Sequence, residues 1–81
     1  MNGKTIDERF LIKLYELSME KGDPFQEVSI KKVTTEIHQK ETAIKNVVKM
    51  LGQANFIKKV GDTGVRLTQQ GFAFVENELN L

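Results

Sequence analysis

The sequence predicts a small α+β domain, mainly helical, with four helices and one β-hairpin. Three observations lead there. Apolar residues recur at helical spacing in four separate stretches. After Phe56 that pattern gives way to short segments of mixed apolar and basic residues around GDTG. Each predicted helix also begins at a capping residue or ends at one suited to leaving a helix.

The first helix is expected over about 5–20. TIDE is a capping box, with Thr5 capping the first turn and Glu8 reaching back to the Thr5 amide. Ile6, Phe10, Leu14 and Leu17 follow on one stripe. Gly22 is a natural stop, and Pro24 prevents continuation. Phe25 and Val28 then lie in a short, partly extended connector.

Ser29 caps a second helix, about 30–38, with Ile30, Val33 and Ile37 inward. The polar turn HQKE separates it from a third helix, about 41–54, whose inner stripe is Ile44, Val47, Val48 and Leu51. Asn55 follows, where a helix exit often needs a left-handed residue. A hairpin is expected over about 56–68, with GDTG as its turn. Thr68 caps a last helix, about 69–79, carrying Phe72, Val75 and Leu79 inward.

Length and composition narrow the function. With 81 residues the chain is expected to form one domain, burying roughly 60% of the surface that its unfolded chain exposes. It has no cysteine, which excludes disulfides, thiolate metal sites and Cys nucleophiles. No apolar run approaches the ~20 residues of a membrane span, and the N-terminus lacks the pattern of a signal peptide. A cytoplasmic location is the expectation.

The net charge of +1 conceals a division. Residues 1–27 carry four basic and six acidic side chains, and residues 67–81 carry only two acidic ones. Residues 28–66 carry eight basic side chains against three acidic, a surplus of five. A basic middle between acidic ends suits a polyanion-binding face.

Two helices joined by a tight turn form a helix-turn-helix, and a hairpin directly after the second of them makes a winged helix. From Val33 to Ile57 the chain resembles winged-helix transcription regulators, especially the MarR-like and PadR-like families. The resemblance rests on Val33-Thr34 early in the second helix, Ile44, Leu51, Ile57 at the start of the wing, and Leu67-Thr68-Gln69-Gln70-Gly71 at its close. The chain departs from that pattern in having Thr34 and His38 for its usual Ala and Gly, and Asn55 for its Gly before the wing. The resemblance implies a DNA-binding domain that places the third helix in the major groove and the hairpin beside it.

The residues themselves permit the same reading. With the apolar stripe inward, Thr42, Lys45, Asn46, Lys49 and Gln53 point away from the core, and none is acidic. Asn46 suits a bidentate contact with adenine, and Lys45 or Lys49 suits guanine acceptors or phosphate. Gln39 and Lys40 in the turn, and Ser29, Lys31 and Lys32 at the start of the second helix, are phosphate candidates. Lys58, Lys59, Thr63 and Arg66 are the wing candidates. Glu41 fits least, because it suits the helix dipole but repels phosphate.

Other signals point away from chemistry. One histidine, His38, makes a poor metal site and is expected to be a turn residue. There is no P-loop, dinucleotide fingerprint or Ser/His/Asp constellation, so neither a catalytic role nor a cofactor is expected. Met19 and Met50 read as core or core-edge filler. Phe74 lies off the last helix's stripe, so it packs on the first helix or contacts a second copy of the chain. The expected partner is therefore double-stranded DNA, with a homodimer through the C-terminal helix as a candidate assembly. A protein-interaction module of the same fold is the competing reading.

Overall fold

Thr5 opens the first helix as the sequence predicts. In the computed structural model, which describes residues 5–78, the Thr5 hydroxyl accepts from the Glu8 amide at 3.2 Å. The Glu8 carboxylate accepts from the Thr5 amide at 3.0 Å, which completes the capping box. The order along the chain is α1 (Ile6–Glu20), β1 (Val28–Ser29), α2 (Ile30–Glu36), α3 (Glu41–Gln53), β2 (Ile57–Val60), β3 (Gly64–Leu67) and α4 (Gln69–Glu78). The molecule is thus mainly helical, with a three-stranded antiparallel sheet in the order β1-β3-β2.

The core forms where the helical stripes meet the inner face of β3. Phe10, Leu14, Val33, Val65, Leu67 and Val75 are completely buried, and Ile44, Val47, Val48 and Leu51 of α3 pack into the same cluster. Leu11 and Ser18 are also buried, which widens the inner face of α1 beyond the expected stripe. The Ser18 hydroxyl donates to the Gln26 carbonyl at 3.2 Å and ties the end of α1 to the connector. The buried Thr34 hydroxyl is likewise satisfied, donating to the Ile30 carbonyl at 2.7 Å.

Several expectations need correction. The connector after α1 contains a strand: Val28 pairs with Val65 and Ser29 with Gly64. Two residues are too few to show an alternating pattern in a sequence, and their strand geometry depends on β3 being present to pair with. The second helix ends at Glu36, earlier than expected, because His38 takes a positive φ of 58°. Met19 and Met50 are not core filler, being 45% and 59% exposed. Phe74 stacks on Phe56 with ring centroids 4.8 Å apart, so its aromatic partner lies at the exit of α3 and not on α1. Phe72 is only partly buried, between Tyr15 and Phe25. Leu79 lies outside the described residues.

Both ends of the α2–α3–hairpin unit use one device. After α2, the Gln39 amide donates to the Thr34 carbonyl and the His38 amide to the Thr35 carbonyl, both at 3.2 Å. After α3, the Phe56 amide donates to the Leu51 carbonyl at 2.9 Å and the Asn55 amide to the Gly52 carbonyl at 3.0 Å. Each paired closure requires a left-handed residue, supplied by His38 (φ 58°) and Asn55 (φ 64°).

The start of α4 is locked onto the exit of α3. The Thr68 hydroxyl donates to the Asn55 carbonyl at 2.6 Å and accepts from the Gly71 amide at 3.0 Å. The Thr68 amide donates to the Phe56 carbonyl at 3.1 Å. That approach leaves no room at Gly71, where a Cβ would run into the Phe56 carbonyl oxygen.

Two positions, His38 and Gly71, carry expected outcomes for stability. His38→Gly raises unfolding stability by about 0.5–1 kcal/mol, because glycine relieves the left-handed strain at some cost in unfolded-state entropy. His38→Val lowers it. Gly71→Ala lowers stability by about 1–3 kcal/mol, the usual range for overpacking. Urea unfolding of the variants measures both, and a His38→Gly protein no more stable than its parent contradicts the strain.

Candidate nucleic-acid interface

The candidate surface is built outward from α3, whose stripe fixes its orientation. With Ile44, Val47, Val48 and Leu51 buried, Thr42, Lys45, Asn46, Lys49 and Gln53 are all exposed. Lys40 precedes the helix without a side-chain cap of its own, and the partly exposed Gln39 sits in the turn. Glu41 occupies the first helical turn.

The hairpin, β2 paired with β3, is held in place by two connections, to β1 and to the start of α2. β3 pairs with β2 on one side and with β1 on the other. The Ile30 amide, at the start of α2, donates to the Thr63 carbonyl in the hairpin turn at 2.8 Å. Gly61 adopts φ 63° and lets Gly61-Asp62-Thr63 reverse the chain between Val60 and Gly64. The tip of the hairpin is therefore fixed to α2, which itself packs on α3.

A groove of about 380 Å³ results, bounded by α2, α3 and the hairpin. Ile30, Thr34, Ile44 and Val48 are among its lining residues, and Lys31, Lys45, Lys59 and Thr63 join them from three separate elements. Glu41 and Asp62 line it as well. Asp62 has a place here that its sequence context does not suggest, since GDTG reads only as turn chemistry. The apolar lining of Ile30 and Val48 is equally invisible without the packing of α2 on α3.

The other predicted residues are distributed around this groove rather than gathered in it. Lys58 and Arg66 are directly opposed across the β2–β3 ladder. Their positions alternate with those of Lys59 and Val65, so they occupy the other face of the hairpin. Like charges in that arrangement repel. Ser29 caps α2, its hydroxyl accepting from the Lys32 amide at 3.4 Å. Ser29 and Lys32 stand beside Glu20 of α1 and Lys21 just after it in a separate depression, away from Lys45. The structure thus associates Lys31, Lys45, Lys59 and Thr63 in one groove, sets Lys32 apart, and leaves Ser29 outside the groove but beside Thr63.

Among the described residues the one ion pair is Lys13–Glu16, at 3.0 Å on α1. Its hydrogen bond to Glu16 raises the pKa of Lys13 above the usual lysine value. None of the eight basic side chains of residues 28–66 has a carboxylate within ion-pair distance among the described residues. Their charge is left for solvent or an external anion.

No group of three or more metal-ligating side chains comes together among the described residues, and no helix there is long and apolar enough to cross a membrane. Comparison of the chain with models of protein families, with curated proteins and with solved structures finds no match.

Proposed function

We propose that this protein is a winged-helix DNA-binding protein and a small transcriptional regulator, which places α3 in the major groove and the β2–β3 hairpin beside it. The observation that carries the reading is the outer face of α3, where Thr42, Lys45, Asn46, Lys49 and Gln53 are exposed beside basic side chains that have no ion-pair partner, with Glu41 at its edge as the one carboxylate of the helix. At 1.5 Å per residue α3 is about 20 Å long, and the major groove, about 12 Å wide, admits a helix. The element order, three helices followed by a hairpin whose second strand also pairs with the short strand before α2, supports the winged-helix reading.

Each side chain then has a task. Asn46 reads base edges, with Lys45 and Lys49 on guanine or phosphate. Lys40, Gln39 and Thr42 at the start of α3 meet the backbone, as does Lys31 across the groove. Lys58 and Arg66 accept a phosphate between them, which offsets their mutual repulsion. Ser29 and Lys32 lie at the edge of this footprint and contribute least. No catalysis and no cofactor enter the proposal.

A second reading, a protein-interaction module, draws support from the exposed Met50 on α3 and the carboxylates of Glu41 and Asp62 at the groove. Amide chemical-shift mapping separates the two. Duplex DNA that perturbs residues 40–49 favours the first, and a spectrum indifferent to DNA favours the second.

Binding to duplex DNA is expected to fall steeply with salt. A protein neutralising about six phosphates loses roughly a thousandfold in affinity between about 50 and 200 mM salt. A fluorescence titration showing no binding at low salt, or binding that ignores salt, sinks the proposal. Within it, Asn46→Ala relaxes sequence preference, whereas Lys58→Ala weakens binding to all sequences alike and reduces the salt slope by about one. Glu41→Gln has opposed effects: affinity rises a few-fold, while stability drops by about 0.3–1 kcal/mol as the helix N-terminus loses its carboxylate.

A further inference from the structure

Helix α1 is apolar on two sides. Phe10, Leu11, Leu14 and Leu17 form its buried face. Ile12, Tyr15 and Met19, spaced i, i+3 and i+7, form a second stripe directed away from it. Ile12 and Tyr15 are only partly covered, and Met19 is 45% exposed. Phe72 of α4 extends the stripe sideways, with its ring centroid 6.1 Å from that of Tyr15. A helix lying on a core ordinarily turns only polar residues to solvent, whereas here an apolar stripe stands beside the charged residues Arg9, Lys13, Glu16 and Glu20.

The charges beside the stripe suggest what covers it. Lys13 and Glu16 are paired at 3.0 Å, with their side chains 28% and 46% exposed. Arg9 lies one turn before this pair and Glu20 one turn after it. The order basic, basic, acidic, acidic is antisymmetric about the point between Leu14 and Tyr15. A second α1 laid antiparallel across the first, with a two-fold axis through that point, brings opposite charges together at every step. Lys13 then faces the partner's Glu16, and Arg9 faces the partner's Glu20. The Arg9 guanidinium uses one nitrogen on the Ile37 carbonyl, at 2.9 Å, and has further donors. About that axis Tyr15 lies almost level with the partner's Tyr15, and Ile12 falls between the partner's Tyr15 and the partner's Met19.

We propose that two copies of this chain pair antiparallel through the outer face of α1. Ile12, Tyr15 and Met19 form the seam, and the two Lys13–Glu16 pairs merge into one four-charge network on the two-fold axis. Such an interface is isologous, so it closes at the dimer. It uses none of the residues assigned to DNA, and it stands or falls independently of that proposal.

The experiment is a charge exchange followed by sedimentation equilibrium on the full chain, with circular dichroism to confirm folding. The parent protein is expected to reach twice its monomer mass as concentration rises. K13E sets carboxylates face to face in its own homodimer, and E16K sets ammonium groups face to face. Each variant alone is expected to self-associate at least roughly tenfold more weakly. An equimolar mixture of the two restores opposite charges at both contacts and is expected to recover the doubled mass. A parent that stays monomeric at every concentration overturns the proposal. So do single variants that associate as well as the parent, or folded variants whose mixture stays monomeric.

Discussion

The left-handed conformations of His38 and Asn55 are the constraint on which the rest of this structure depends. Each closes a helix with two backbone hydrogen bonds, and each then sends the chain back across the core. His38 turns α2 into α3, and Asn55 turns α3 into the hairpin. Because α3 is held between these two reversals, its buried stripe and its exposed face are set at the same time. Neither residue is the one that best tolerates a positive φ, so the chain holds its candidate interface in place at some cost in strain. The hydrogen bond from Thr68 to the Asn55 carbonyl, and the contact of Gly71 with Phe56, keep the second reversal from relaxing.

Much of this was legible in the residues. Capping side chains at Thr5, Ser29 and Thr68, and the apolar stripes of α1 and α3, are local signals, and local physics determines them. Asn55 was readable for the same reason. The strand β1 was not, since Val28 and Ser29 acquire strand geometry only through pairing with Val65 and Gly64 of β3, far along the chain. The exposure of Met19 and Met50 is not legible in the sequence, because apolar character alone does not say which side of a helix lacks a neighbour. The candidate interface was legible along α3, whose own periodicity reveals its outer face. Across elements it was not, because nothing local distinguishes Lys31, which lines the groove, from Lys32, which stands beside α1.

Charge is arranged so that the two sides of the molecule oppose each other. The ion pair of α1 compensates itself, whereas the cations from α2 to β3 have no carboxylate at pairing distance among the described residues. A fold of this size gains little from surface pairs, so leaving the cations unpaired costs little stability. It keeps their charge available to a polyanion.

The hairpin shows how stability and this availability interact. Lys58 opposite Arg66 is an unfavourable cross-strand pair. The hairpin does not depend on that pair, because β3 is held from its other edge by β1, and the turn is held by the bond from Ile30 to Thr63. Support for the hairpin therefore comes from backbone contacts on the α2 side, which leaves the outer face of β2 and β3 free to carry repelling charges. Since α2 supplies both that support and, through Lys31, one wall of the groove, the spacing between hairpin and α3 is fixed by backbone hydrogen bonds instead of by the lysines themselves. A lysine-to-alanine change on this surface accordingly removes a charge without altering where the elements stand.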